Sequence, residues 1–173
     1  MNAPLPADFH DAESSPLLRV DALSVAITRA DGVEIHPVDG VGFEIGAGET
    51  FALLGESGCG KSMTALALTR LLPDGGRIAG GSVRLGGEAL LALPEAAMRR
   101  VRGGQIGMIF QEPATSLNPV MNVGAQIVEA LAAHGLRGEA ARAEACRLLA
   151  AVGISDPERR LAEFPFQFSG GMK

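Results

Sequence analysis

Alternating apolar and polar positions dominate the front of the chain. Leu18 to Thr28 alternates loosely, Asp31 and Gly32 supply a turn, and Val33 to Val38 resumes the extended pattern, which predicts a β-hairpin. Val41 to Ile45 predicts another short strand, closed by Gly46, Ala47 and Gly48. Thr50 to Leu54 is an apolar run that leads into glycine, the pattern of a buried strand. The period then changes. Ala65, Leu66, Leu68, Leu71 and Leu72 cover a broad face of a helix that starts near Lys61, and Pro73, Asp74, Gly75 and Gly76 end it. Ser82 to Leu85 predicts a short strand and Pro94 to Arg102 a helix; Gln105 to Phe110 predicts a strand that delivers Gln111 to a loop.

From Val123 onward only helical periodicity remains. Gln126 to Leu131 predicts one helix. Glu139 to Val152 predicts a second, with Ala141, Ala145, Leu148, Leu149 and Val152 on one stripe and Gly153 as its stop. Asp156 followed by Pro157 signals a further helix start. The pattern therefore divides the chain into a mixed α/β front and a helical back.

Composition excludes several classes. The 173 residues are 47% apolar, enough for a packed core, yet no run approaches the roughly 18 apolar residues of a membrane helix, so a soluble chain is expected. Residues Met1 to Ser15 lack a basic start followed by an apolar stretch and do not resemble a secretory signal; residues 1–16 are expected to form a disordered lead-in. Cys59 and Cys146 are the only cysteines, and neither has metal-ligand spacing, which leaves zinc and disulfide frameworks unsupported and fits a reducing cytosol. The formal net charge of −5 argues against general nucleic-acid affinity.

One segment carries chemistry. Gly55-Glu56-Ser57-Gly58-Cys59-Gly60-Lys61-Ser62 fits the pattern G-x-x-x-x-G-K-[ST], with an apolar run before it and a helical pattern after it. Residues without a Cβ let the backbone wrap closely, so that amide N–H groups converge on phosphate oxygens while the positive end of the next helix favours the anion. Lys61, one of only two lysines, is predicted to reach the β and γ phosphates, and the Ser62 hydroxyl to ligate Mg²⁺. Gly55 to Ser62, with Met63, are thus the expected nucleotide-binding residues, and Cys59 occupies a variable position. A glycine-rich turn that happens to precede a lysine is the plain alternative; the flanking patterns speak against it.

A phosphate cradle by itself leaves kinases, GTPases, helicases and transport ATPases open. Two later segments narrow the choice. Phe110-Gln111-Glu112-Pro113, followed by Ser116-Leu117-Asn118-Pro119, resembles the Q-loop of ABC ATPases, and Phe168-Ser169-Gly170-Gly171-Met172 resembles their signature motif. Val38-Asp39-Gly40-Val41, Gly48-Glu49-Thr50 and the cradle are similar to the dipeptide, oligopeptide and nickel importer branch, so the resemblance spans Leu17 to Lys173. It implies an α/β P-loop NTPase core of ABC type over residues 17–113, with an N-terminal antiparallel β part plus a parallel core sheet. An α-helical subdomain over residues 114–173 follows, ending at the signature.

By the same resemblance, Gln111 acts with Lys61 in catalysis, touching Mg²⁺ or the attacking water, on a loop that faces transmembrane permease subunits. Ser169, Gly170 and Gly171 present hydroxyl and N–H groups to the γ phosphate of ATP held by a second ATP-binding subunit, identical or different. The implied cofactors are ATP and Mg²⁺, and the implied place is the cytoplasmic face of the cell membrane. The implied task is uptake of peptides, or of nickel or another small solute, with no direct contact between this chain and the solute and no nucleic-acid partner.

Three departures qualify the resemblance. After the signature the family continues into a strand ending in Asp-Glu and then a switch His, whereas His10, His36 and His134 all precede Ser169 and no apolar run of this chain ends in Asp-Glu. These residues are therefore expected to form the front of a subunit, to lack turnover by themselves, and to leave apolar surface uncovered beside Thr50 to Leu54. A degenerate, non-hydrolysing nucleotide-binding module and a non-transport ABC ATPase are the alternatives. Phe166 stands where the importer branch usually has His, and is expected to pack in the core. Ile27 stands where the family usually offers an aromatic ring to adenine. Ile27→Tyr is accordingly expected to tighten ATP binding by about 10-fold in calorimetry, since an aromatic stack contributes about 1–3 kcal/mol per base, and to leave inorganic triphosphate binding unchanged; tightening of both or of neither removes Ile27 from beneath the base.

Overall fold

The computed structural model describes residues 15–110 and 116–169. The chain forms two compact units, Met1–Arg99 and Arg100–Lys173. In the first, strands β1 (Leu18–Thr28), β2 (Glu34–Ile45), β3 (Gly76–Leu85) and β4 (Glu88–Ala89) form one sheet in the order β2-β1-β3-β4. Every pairing in it is antiparallel. The predicted hairpin is present, with Ile27 opposite Ile35 and Leu18 opposite Ile45.

The strands run longer than the apolar pattern indicates. Val33–Val38 and Val41–Ile45 merge into β2, because Gly40 adopts φ 63° and the Ser24 hydroxyl accepts its N–H at 2.9 Å, which carries the chain through a bulge. On β1 the extra residue is Ala22, at φ 46°. It shifts the phase of burial, so that Val20, Leu23 and Val25 point inward where strict alternation would bury Val20, Ala22 and Ser24. β3 starts at Gly76 rather than Ser82, since Gly80 and Gly81 hide its extended character from a periodic reading.

Helix α1 (Lys61–Leu68) packs on β1 and β2 and ends before Leu71 and Leu72, because Arg70 turns left-handed at φ 54° and its guanidinium donates to the Leu93 carbonyl at 2.6 Å. Leu23, Val20, Val25, Val83, Leu90 and Met98 are fully buried, as is Ala67 of α1. Thr64 and Thr69 are buried with their hydroxyls satisfied within the helix, Thr64 donating to the Gly60 carbonyl at 3.0 Å and Thr69 to that of Leu66 at 3.2 Å. On the sheet surface the Arg77 guanidinium, 2.8 Å from Glu34, holds that carboxyl below its ordinary pKa by hydrogen bonding. Helix α2 spans Glu95–Gly104.

Two apolar runs expected as strands enter no ladder among the described residues. Thr50–Leu54 and residues 107–110 carry no strand pairing, and Ile106 makes only an isolated bridge with Arg102. Leu53 is 40% exposed, Leu54 87% and Ile109 96%. A strand is defined by its partners, and runs this apolar suit a sheet covered on both faces; no described strand forms a ladder with either one. Phe51 finds partial cover by stacking on Phe43 with ring centroids 4.8 Å apart.

The second unit is helical: α3 (Val123–Ala133), α4 (Gly138–Ala151) and α5 (Pro157–Leu161). Its core joins Val123, Ala145, Leu149, Ile154, Leu161 and Phe168. The Asn122 side chain caps α3 by accepting the Ala125 N–H at 2.7 Å. Gly124 permits close packing, since a Cβ there would lie 2.6 Å from the Leu161 carbonyl oxygen. Val152, expected on the buried stripe of α4, is 75% exposed because the helix ends at Ala151, and Ile154 fills the core instead. The uncovered apolar runs predict that the 173-residue chain binds a hydrophobic dye and that Ile109→Lys lowers the dye fluorescence without changing the far-ultraviolet dichroism; undiminished fluorescence would contradict the exposure of this segment.

Candidate functional site

The loop Gly55–Gly60 joins an exposed extended segment to the first turn of α1. Gly60 caps the helix at φ 91° and ψ 0°, a conformation that side chains rarely adopt, and a Cβ there would collide with the carbonyl of Pro37 on β2. Both constraints require glycine, so β2 holds the corner from which α1 departs. The Cys59 N–H closes a turn on the Glu56 carbonyl at 3.3 Å, and Thr64 makes the first helical bond, to Gly60, at 2.8 Å.

Consequently the N–H groups of Gly58, Gly60, Lys61, Ser62 and Met63 have no hydrogen-bond acceptor among the described residues. No acidic side chain stands in the first turn to neutralise them. Lys61 reaches back over the loop, its ammonium donating to the Gly55 and Glu56 carbonyls at 2.7 Å each and lying 3.4 Å from Cys59 Sγ. Ser62, the next residue, is exposed. Unpaired backbone donors, a lysine ammonium on the same loop and the positive end of a helix are the features an anion-binding site requires. Gly55 to Met63, the predicted set, lie together here.

The other predicted residues divide. Gln111, Gly170 and Gly171 lie outside the described residues. Ser169 is exposed at the surface of the helical unit, directly after Phe168, which is 6% exposed and part of that core. Phe166 corrects an expectation: it is 70% exposed and stacks on Phe164 at 5.6 Å instead of packing inward. The reason is the 3₁₀ turn Pro165–Gln167, in which Gln167 accepts the Phe164 N–H at 2.8 Å and so aims Phe168, not Phe166, at the core.

Two residues that no motif marks organise this unit. Gln126 clasps the preceding loop: its Nε2 donates to the Asn118 and Met121 carbonyls at 3.0 Å each, and its Oε1 accepts the Asn118 N–H at 2.9 Å. Glu163 accepts from Arg159 and Arg160. The Asn122 cap is visible in sequence as a helix start, but the clasp depends on the loop folding back, which no local signal reports. Among the described residues no cluster of three or more His, Cys, Asp or Glu could hold a metal ion, and no helix is long and apolar enough to cross a membrane.

The family profile described as ABC transporter matches residues 38–173. The chain is 46% identical over 159 residues to the oligopeptide transport ATP-binding protein OppD of Bacillus subtilis, covering 91% of this chain and 44% of that one. It is 44% identical to the dipeptide transport ATP-binding protein DppD of the same organism, covering 91% and 47%. The chain thus spans about half the length of several curated relatives it matches, including 48% of a putative peptide import ATP-binding protein of Brucella abortus. Among solved structures, a dimeric ATP-binding cassette in a post-hydrolysis state bound to ADP and Pi shares the fold, with a TM-score of 0.74 at 22% identity, over 90% of this chain and 64% of that one. An ATP binding subunit of an ABC transporter matches with a TM-score of 0.57 at 26% identity, over 90% and 57%. With the phosphate cradle, the α/β architecture and the profile match over most of its length in agreement, this chain belongs to the ABC transporter family.

Proposed function

We propose that this chain is the nucleotide-binding front of a subunit that couples ATP to the import of peptides across the cytoplasmic membrane. The observation that carries the reading is the corner Gly60-Lys61-Ser62, where N–H donors have no acceptor among the described residues and the first turn of α1 carries no acidic side chain. Two features support the fit to a triphosphate: the first-turn N–H groups of α1 are left without acceptors among the described residues, and the acceptors of Lys61 among them are two carbonyls and the Cys59 sulfur of its own loop, from which it can be drawn by stronger, charged oxygens.

ATP with Mg²⁺, when bound, would supply a phosphoryl group for transfer to water. The chain's residues do the holding. The backbone donors of Gly58 and of Gly60 to Met63 would orient the phosphates, Lys61 would neutralise their charge, and Ser62 would offer its hydroxyl to Mg²⁺. Gln111 is assigned to the water or metal side of the same nucleotide, and Ser169, Gly170 and Gly171 to the γ phosphate of a second subunit's nucleotide. Peptide cargo follows from the names of the relatives OppD and DppD. Permease subunits, rather than this chain, would contact the solute, which places the protein peripherally on the cytoplasmic face.

Positioning without a carboxylate base gives binding rather than turnover. In calorimetry the 173-residue chain is expected to bind Mg-ATP, and Lys61→Ala to weaken binding about 10- to 100-fold, because hydrogen bonds to charged groups contribute roughly 1.5–3 kcal/mol. Phosphate release by the parent is expected to equal that of Lys61→Ala. Equal affinities would remove Lys61 from the site, and Lys61-dependent turnover would show that a catalytic carboxylate lies within these residues.

A further inference from the structure

Ser169 is exposed, yet the residue before it is anchored by more than apolar packing. The Glu163 side chain, 12% exposed, accepts from Arg159 on one oxygen and from Arg160 on the other, both at 2.6 Å. The Glu163 backbone carbonyl accepts the N–H of Val123, the first residue of α3, at 2.8 Å. Arg160, 19% exposed, extends from this carboxylate across the ring of Phe168, with its guanidinium carbon 5.7 Å from the ring centroid. Its Nε is buried without a hydrogen-bond partner among the described residues.

A guanidinium is planar, so one edge can pair with a carboxylate while a face lies on an aromatic ring. Arg160 uses both. A buried donor left unpaired is unfavourable, and packing alone would be served as well by an aliphatic residue. What the charged arrangement adds is direction: Glu163, tied to α3, fixes Arg160, and Arg160 fixes the ring of Phe168. The Cα of Ser169 is one peptide, about 3.8 Å, from that of Phe168.

We propose that Arg160, held by Glu163, is a positioning residue that orders Ser169 in advance of its partner. The proposal rests on the reading above, in which Ser169 meets the γ phosphate on a second subunit. Ordering the serine beforehand removes conformational freedom that assembly would otherwise have to remove, which strengthens the encounter without adding a contact. Arg159, whose side chain is 60% exposed and touches the same carboxylate, lacks the ring contact and is assigned no such role.

The test is backbone ¹⁵N relaxation on the labelled 173-residue chain, without nucleotide. The order parameters of Phe168 and Ser169 are expected near about 0.8 in the parent, and that of Ser169 to fall below about 0.6 in Arg160→Leu, while Ala145 and Leu149 of α4 keep their values. Arg160→Lys, which restores charge without the planar face, is expected to recover part of the loss. An unchanged Ser169 in Arg160→Leu overturns the proposal, as does a loss of order spread evenly over the helical unit. Should Arg160→Leu fail to fold, Glu163→Gln decides: a selective fall at Ser169 supports the latch, and no change there overturns it. Because no nucleotide is present, this outcome is independent of what Ser169 contacts; that reading fails separately if Ser169→Arg leaves ATP turnover of the assembled transporter intact.

Discussion

Gly60 lies against the carbonyl of Pro37 with a left-handed backbone, and the chemistry of the first unit depends on that contact. The antiparallel sheet supplies the fixed surface, and β2 can run past the loop because the bulge at Gly40, held by Ser24, keeps it in register. From that corner α1 starts with its first-turn donors unpaired. The usual remedy for such donors is a capping side chain, and Gly60 has none to offer. The local deficit in helix capping is therefore the same feature on which the proposed anion site rests, and Lys61 adds a positive charge to the same loop.

The helical unit applies the same logic with different parts. Its apolar core holds Phe168, and a charged pair holds the ring in a chosen direction, so that a small exposed serine follows from large buried groups. The Gln126 clasp does for the loop before α3 what Glu163 does for the segment after α5: each converts a turn with no regular pairing into a fixed one through side-chain hydrogen bonds to backbone or to arginine.

Much of this was legible in sequence. The hairpin, the start of α1 at Lys61, the three helices of the second unit and the glycine-rich loop before Lys61 all follow from periodicity, glycine and the G-x-x-x-x-G-K-[ST] spacing. What escaped has physical causes. Bulges at Ala22 and Gly40 interrupt the alternation, so β2 looked like two strands and β1 alternated only loosely. Apolar content in Thr50–Leu54 and Ile109 signals what a segment needs, not whether a partner stands beside it, and both remain exposed. Phe166 and Phe168 are equally apolar, and only the 3₁₀ turn between Phe164 and Phe168 decides which faces inward. Arg160 and Glu163 belong to no motif, since their roles arise from contacts with Phe168 and with α3.

The central claim is that the Gly60 corner, set by β2, creates the phosphate site. A titration of the ¹⁵N-labelled chain with magnesium and inorganic triphosphate, followed by amide chemical shifts, addresses it most directly. The account predicts the largest changes at Gly58, Gly60, Lys61, Ser62 and Met63, with the same residues responding to Mg-ATP, and their loss in a folded Gly60→Ala variant. Shifts confined to other parts of the chain, or an unaltered response in Gly60→Ala, would contradict it.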